Sequence, residues 1–163
     1  MESFKIDVVG DYLENESELT APERELLGMA REAMSRAYAP YSQFSVGAAL
    51  RLNDGIVVTG NNQENAAYPS GLCAERVAIF AASATYPGVP ITDLAIIASS
   101  PKFELNYPVA PCGSCRQVML EYELNQDSSI NLIFCGISGR IVRLSGVRHL
   151  LPFYFHETAL RKS

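Results

Sequence analysis

No run of lysines or arginines occurs in the 163-residue chain, whose 13 basic and 18 acidic side chains leave a formal net charge of -5 and a sequence pI near 5.0. Binding to a long nucleic acid or an anionic membrane draws on a basic footprint that meets phosphate, so this lack argues against both partners. No apolar run approaches the length of a membrane span, and the opening MESFKIDVVGDYLENES has no basic region followed by an apolar block, as a secretory signal would. Cysteine is scarce. Four in a chain of this length, without an export signal, point to thiols or metal ligands in a reducing compartment rather than to a disulfide scaffold. The expectation is a soluble, cytoplasmic protein. Its length suits one ordinary domain, and a hydrophobic content of 48% is enough for a sizeable core.

Residues 1–18 read as an amino-terminal arm and 19–163 as a single domain. Within the arm, Phe4 to Leu13 alternate loosely, as an extended arm or an edge strand would. Thr20-Ala21-Pro22-Glu23 is a helix start: Thr20 can cap free amides, Pro22 suits the first turn, and Glu23 completes a capping box. Leu26, Leu27, Ala30, Ala33, Met34 and Ala37 follow at helical spacing, with Pro40 as the expected end. Ser45 to Arg51 and Ile56 to Thr59 read as a hairpin turned at Asp54-Gly55. Cys73 to Tyr86 is alanine-rich and apolar all round, which suits a buried helix. Leu94 to Ala98 and Ile130 to Gly136 read as central strands, Arg140 to Leu144 as another, and a helix is expected from about Cys112–Cys115 to Leu124. The sum is a three-layer α/β/α fold with a mixed sheet of about five strands.

Cys73, Cys112 and Cys115 share a context, each lying where a loop enters a helix. A helix amino terminus favours thiolate, the form that zinc binds. Taken alone, Pro111-Cys112-Gly113-Ser114-Cys115 could be a redox pair. With Cys73 it supplies three ligands to Zn²⁺ and leaves the fourth tetrahedral position for water, the mark of a catalytic rather than a structural site. Glu75 is too close to Cys73 to be a convenient ligand, yet it can face that water and carry its proton. C-x-E followed by P-C-x-x-C is the signature of zinc nucleobase deaminases, with cysteine where some members have histidine. A closed structural site would need a fourth protein ligand, for which Cys135, His149 and His156 are the candidates. Cys135 lies in an apolar strand and reads as a buried inert thiol, and the two histidines read as surface or packing residues.

The chain resembles the homotetrameric cytidine deaminases over roughly residues 20 to 157. The matching stretches are Tyr38-Ala39-Pro40-Tyr41-Ser42-Gln43-Phe44-Ser45-Val46-Gly47-Ala48-Ala49, Gly60-Asn61-Asn62-Gln63-Glu64-Asn65-Ala66-Ala67-Tyr68, Cys73-Ala74-Glu75-Arg76, Pro111-Cys112-Gly113-Ser114-Cys115-Arg116-Gln117 and Leu150-Leu151-Pro152. The resemblance implies that Asn62 and Glu64 hold the ribose hydroxyls, that Phe44 packs on the pyrimidine, that Phe155 reaches a neighbouring subunit's site, and that backbone near Ala74, with Glu75, reads the amide face of the ring. It further implies that Arg76 donates to the ligand sulfurs, offsetting the net charge that three thiolates leave on zinc, and that Gln117 is a second donor near the cluster. Arg116 receives no role.

The reaction so implied is hydrolysis of cytidine and 2'-deoxycytidine to uridine and 2'-deoxyuridine with release of ammonia, in cytoplasmic pyrimidine salvage. Zn²⁺ is the cofactor, a small-molecule nucleoside the substrate, and a homotetramer the assembly, with no nucleic acid or membrane partner. Competing readings are a relative acting on a modified nucleoside such as blasticidin S or on a base in nucleic acid, and a non-catalytic zinc-stabilised binding protein. Glu75 argues against the last, because a structural site needs no proton shuttle.

Overall fold

The computed structural model describes residues 1–126 and 128–156. Thr20 opens the first helix as its sequence context predicts. Its hydroxyl accepts from the Glu23 amide at 3.4 Å, and the Glu23 carboxylate accepts from the Thr20 amide at 2.8 Å. Helix α1 spans Ala21–Met34 and buries Leu26, Leu27, Ala30, Ala33 and Met34 along one face. It stops short of the expected Pro40 boundary. The Arg36 and Ala37 amides bond three residues back, to the Ala33 and Met34 carbonyls at 3.1 Å, which tightens the last turn before Tyr38 bridges to Gln63 as extended chain.

Among the described residues six strands form one sheet in the order β1-β6-β5-β4-β2-β3. The hairpin of β2 (Ser45–Leu52) and β3 (Val57–Asn61) turns at Gly55, whose φ of 88° favours glycine. Central β4 (Ile91–Ser99) is antiparallel to β2 but parallel to β5 (Asn131–Cys135). Such a parallel pair needs a crossover, which helix α3 (Gly113–Asn125) provides. β6 (Ile141–Ser145) returns antiparallel to β5. The sixth strand corrects the expectation of about five. It is β1 (Gly10–Leu13), where the arm satisfies the outer edge of β6 with Gly10 opposite Leu144 and Leu13 opposite Ile141.

Alternation along the strands sets the layers. Ala48, Leu50, Leu94 and Ile96 pack with helix α2 (Ala74–Thr85) and α3, whereas Ala49, Ala95, Ile97 and Ile133 pack with α1. A three-layer α/β/α domain results, as expected. Because β3 and β4 are both antiparallel to β2, their carboxyl ends lie at one edge of the sheet. α2 follows β3 and α3 follows β4, so both helices begin at that edge, where open α/β sheets bind their ligands. At the far end of α3, buried Glu123 accepts from the Ile130 and Val147 amides at 2.9 and 2.7 Å and fixes the short helical turn Val147–Leu150.

Candidate active site

Cys73 is the N-cap residue of α2, Cys112 that of α3, and Cys115 lies in the first turn of α3. Their sulfurs all lie within 4.8 Å of one another, with Cys73 to Cys112 at 3.9 Å and Cys112 to Cys115 at 3.5 Å. Tetrahedral zinc with Zn–S bonds near 2.3 Å holds its sulfurs about 3.8 Å apart, so the three thiols fit the ion. Among the described residues no fourth ligand joins them. Cys135 is buried in β5, and His149 Nδ1 accepts from the Val9 amide at 3.5 Å in the arm. Backbone packing sets the position of Cys73. A Cβ on Gly60 of β3 would stand 2.5 Å from the Ala74 carbonyl oxygen, a closeness that only glycine allows and that seats the start of α2 on the sheet.

The thiols share their protons unequally. A hydrogen bond with Cys115, and then Arg76, lower the Cys73 pKa to about 5, and the same bond together with burial raises that of Cys115. The cluster thus carries one thiolate readily and resists more negative charge, which a divalent cation would offset. Arg76 Nη2 donates to Cys73 Sγ at 3.5 Å. Glu75, on the next residue but one, is 3% exposed, and its Oε2 has no hydrogen-bond partner. Burial, and secondarily the Cys73 charge, raise its pKa above the ordinary carboxylate value. An unpaired carboxylate oxygen in the interior is costly, which makes Glu75 a candidate for moving a proton at this site.

A cavity of about 380 Å³ joins Phe44, Asn62, Glu64, Cys73, Glu75 and Cys112. A second, of about 490 Å³, shares Asn62, Glu64 and Cys73 and extends past Tyr41 and Tyr68. Asn62 Oδ1 accepts from the Val46 amide and its Nδ2 donates to the Phe44 carbonyl, both at 2.8 Å, so this side chain holds the backbone on either side of Ser45. One N–H and one lone pair of the carboxamide remain for a ligand. Glu64 Oε2 accepts from the Tyr41 and Ser42 amides at 2.8 and 3.3 Å, and the Ser42 side chain contributes most to keeping the Glu64 pKa below its usual value. Ala74 is fully buried at the first position of α2, with its backbone between Cys73 and Glu75.

Two expected residues line neither cavity of their own chain, though Phe155 is expected to serve a neighbouring subunit. Phe155 is 72% exposed and lines neither cavity. Gln117 bonds to no sulfur; its Nε2 donates to the Phe155 carbonyl at 2.9 Å and its Oε1 accepts from the Phe155 amide at 3.2 Å. Arg116, without a role from sequence, donates to the Pro111 and Leu150 carbonyls at 2.8 and 3.1 Å and so braces the turn into Cys112. Sequence reasoning also missed Phe103, whose ring lies 6.1 Å from that of Phe44, and the Ser42 contact with Glu64. Ser42 stands inside a stretch already singled out; nothing local marked Phe103.

Residues 21–127 match the model of the cytidine and deoxycytidylate deaminase zinc-binding region. The chain is 38% identical over 136 residues to a cytidine deaminase of Sporosarcina psychrophila, covering 83% of this chain and 92% of that one. It is 45% identical over 96 residues to a cytidine deaminase of Halalkalibacterium halodurans, covering 59% of this chain and 68% of that one. The crystal structure of cytidine deaminase from Burkholderia pseudomallei superposes with a TM-score of 0.70 at 40% identity, over 84% of this chain and 100% of that one. That of Mycobacterium tuberculosis does so with a TM-score of 0.62 at 34% identity, over 82% and 96%. Three cysteines clustered at the start of two helices, a buried carboxylate beside them and this extent of matching sequence and fold agree: the chain belongs to the cytidine and deoxycytidylate deaminase family.

Proposed function

We propose that this protein is a zinc-dependent cytidine deaminase that hydrolyses cytidine and 2'-deoxycytidine to the corresponding uridines with release of ammonia. The single observation that carries the reading is the unpartnered Oε2 of buried Glu75 beside three clustered thiols. Zinc bound by Cys73, Cys112 and Cys115 would supply the Lewis acidity that makes water a nucleophile near neutral pH. Glu75 takes the proton from the attacking water and delivers it to the pyrimidine ring nitrogen, and water oxygen adds at the carbon bearing the amino group. Glu75 then takes the remaining proton from the added hydroxyl and passes it to that amine, which leaves as ammonia while the carbonyl forms. Arg76 steadies the Cys73 thiolate through its 3.5 Å contact. Asn62 and Glu64 receive the sugar hydroxyls, Phe44 packs against the base, and backbone at Ala74 lies where the ring edge would be read.

The assembly we infer is a homotetramer in which Phe155 completes a neighbour's site, which its exposure outside both cavities of its own chain supports. Residues 19–163 would then form the deaminase domain and 1–18 an appended arm, in an enzyme of cytoplasmic pyrimidine salvage; four free thiols favour a reducing compartment. The test is incubation of zinc-loaded protein with cytidine, deoxycytidine and blasticidin S, followed by ultraviolet absorbance and ammonia release. Turnover of the first two is expected, and no turnover of either would overturn the reading.

A further inference from the structure

The amino-terminal arm precedes the stretch that matches the family, which begins at residue 21. It also exposes large apolar side chains: Phe4, Val8 and Val9 are 76%, 62% and 61% exposed. Several contacts tie it to the carboxy-terminal part of the described chain, and three of them lead toward the tail. β1 pairs with β6, the Val9 amide donates to His149 Nδ1, and the edge of one ring of the Phe4–Phe153 pair meets the face of the other at a centroid distance of 5.9 Å and 77°. Phe153 stands two residues before Phe155, whose backbone is clamped in both directions by Gln117. Gln117 is two residues beyond Cys115, and its neighbour Arg116 joins Pro111, just before Cys112, to Leu150, just before the tail. The contacts therefore run without a break from the arm, through the tail, to the helix that carries two of the thiols.

We infer that the arm is a clasp that positions the carboxy-terminal tail for substrate binding, with Phe4 acting through Phe153 to hold Phe155 in place. The inference rests on the assignment of Phe155 to the substrate. Phe4 is a positioning residue: it lines neither cavity and touches no thiol. Without its ring, the tail from Phe153 to His156 keeps the Gln117 clamp but loses the contact that restrains its outer side, so Phe155 samples more positions. Substrate binding then weakens, while the groups that move protons stay in place.

The experiment compares the zinc-loaded full chain with Phe4→Ala, Phe153→Ala and the double variant. In Phe4→Ala, KM for cytidine is expected to rise about 3- to 10-fold, the size of one aromatic edge contact expressed as affinity, with kcat and the zinc-to-chain ratio unchanged. The double variant should match either single one, because both remove the same contact. Phe4→Tyr should restore the KM, since it keeps the ring edge and its hydroxyl would point into solvent. Hydrogen exchange at the Phe155 amide, the donor to Gln117, should be faster in Phe4→Ala, with α2 unaffected. An unchanged KM with unchanged exchange, or effects that add in the double variant, would overturn the clasp. Exchange decides the matter even if the wild-type protein turns over no cytidine, an outcome that would count against the proposed activity instead.

Discussion

Glu75 and Cys73 share one helical turn yet differ in what surrounds their polar atoms. Cys73 is partly exposed and meets Arg76 and the other sulfurs, whereas Glu75 is enclosed, with one oxygen unsatisfied. Glu75→Ala should therefore retain zinc while turnover falls by about 100- to 10,000-fold, the usual weight of a positioned proton carrier. Zinc-to-chain ratio and initial rate measured on the same sample check this, and loss of metal would mean that Glu75 is a ligand. Arg76→Ala removes the donor to Cys73 and leaves the cluster more electron-rich, so activity should drop by about 10- to 100-fold; unchanged kinetics would mean that Arg76 does not act on the cluster. Cys135 has no such partners, and burial pushes its thiol up to about 12. At pH 8 roughly one in ten thousand of such groups is thiolate. After chelation of the metal, iodoacetamide should label the accessible Cys73 and Cys112 in the folded protein and leave the buried Cys115 and Cys135 for the denatured one, as peptide mass spectrometry would report.

Local signals carried furthest at the scale of elements. The Thr20–Glu23 capping box, the Asp54-Gly55 hairpin and the loop-to-helix entries at Cys73 and Cys112 all depend on a few adjacent residues, and each stands where the sequence puts it. Partnerships across the chain were not legible. Nothing near Gly10–Leu13 specifies β6 as its neighbour, and Gln117 is drawn away from the sulfurs by a backbone 38 residues distant. The length of α1 misled for a related reason: Ala37 keeps helical spacing, but Tyr38 gains backbone bonds with Asn62 and Glu64, and the chain leaves the helix to make them. The seating of α2 on β3 is another long-range fit. Gly60→Ala should push the start of α2 off the sheet, with a loss of about 1–3 kcal/mol in stability and a weaker hold on zinc. Thermal unfolding and competition with a zinc chelator measure both. Gly28→Ala, in α1 with nothing within 4 Å of the added carbon, is the control and should be neutral or gain up to about 1 kcal/mol.

On the whole molecule, several aromatic side chains stand unburied: Tyr41 and Tyr68 form an edge contact at 6.2 Å on the rim of the larger cavity, and Phe155 is exposed and lines neither cavity. Subunits that complete one another's sites, as proposed above, would cover them. If Phe155 serves a neighbour, its loss and the loss of Glu75 damage different sites in a mixed assembly. Phe155→Ala should weaken binding at every site of its own oligomer, since stacking on a base is worth about 1–3 kcal/mol. Glu75→Ala subunits have no active proton carrier but still present an intact Phe155. Co-expression of the two variants under different tags should then create sites that pair a working Glu75 with a working Phe155 from next door. At cytidine concentrations below KM, the doubly tagged oligomers should exceed the summed activity of the two parents. Activity no greater than that sum would confine Phe155 to its own subunit, and a monomeric native mass would remove the shared site altogether.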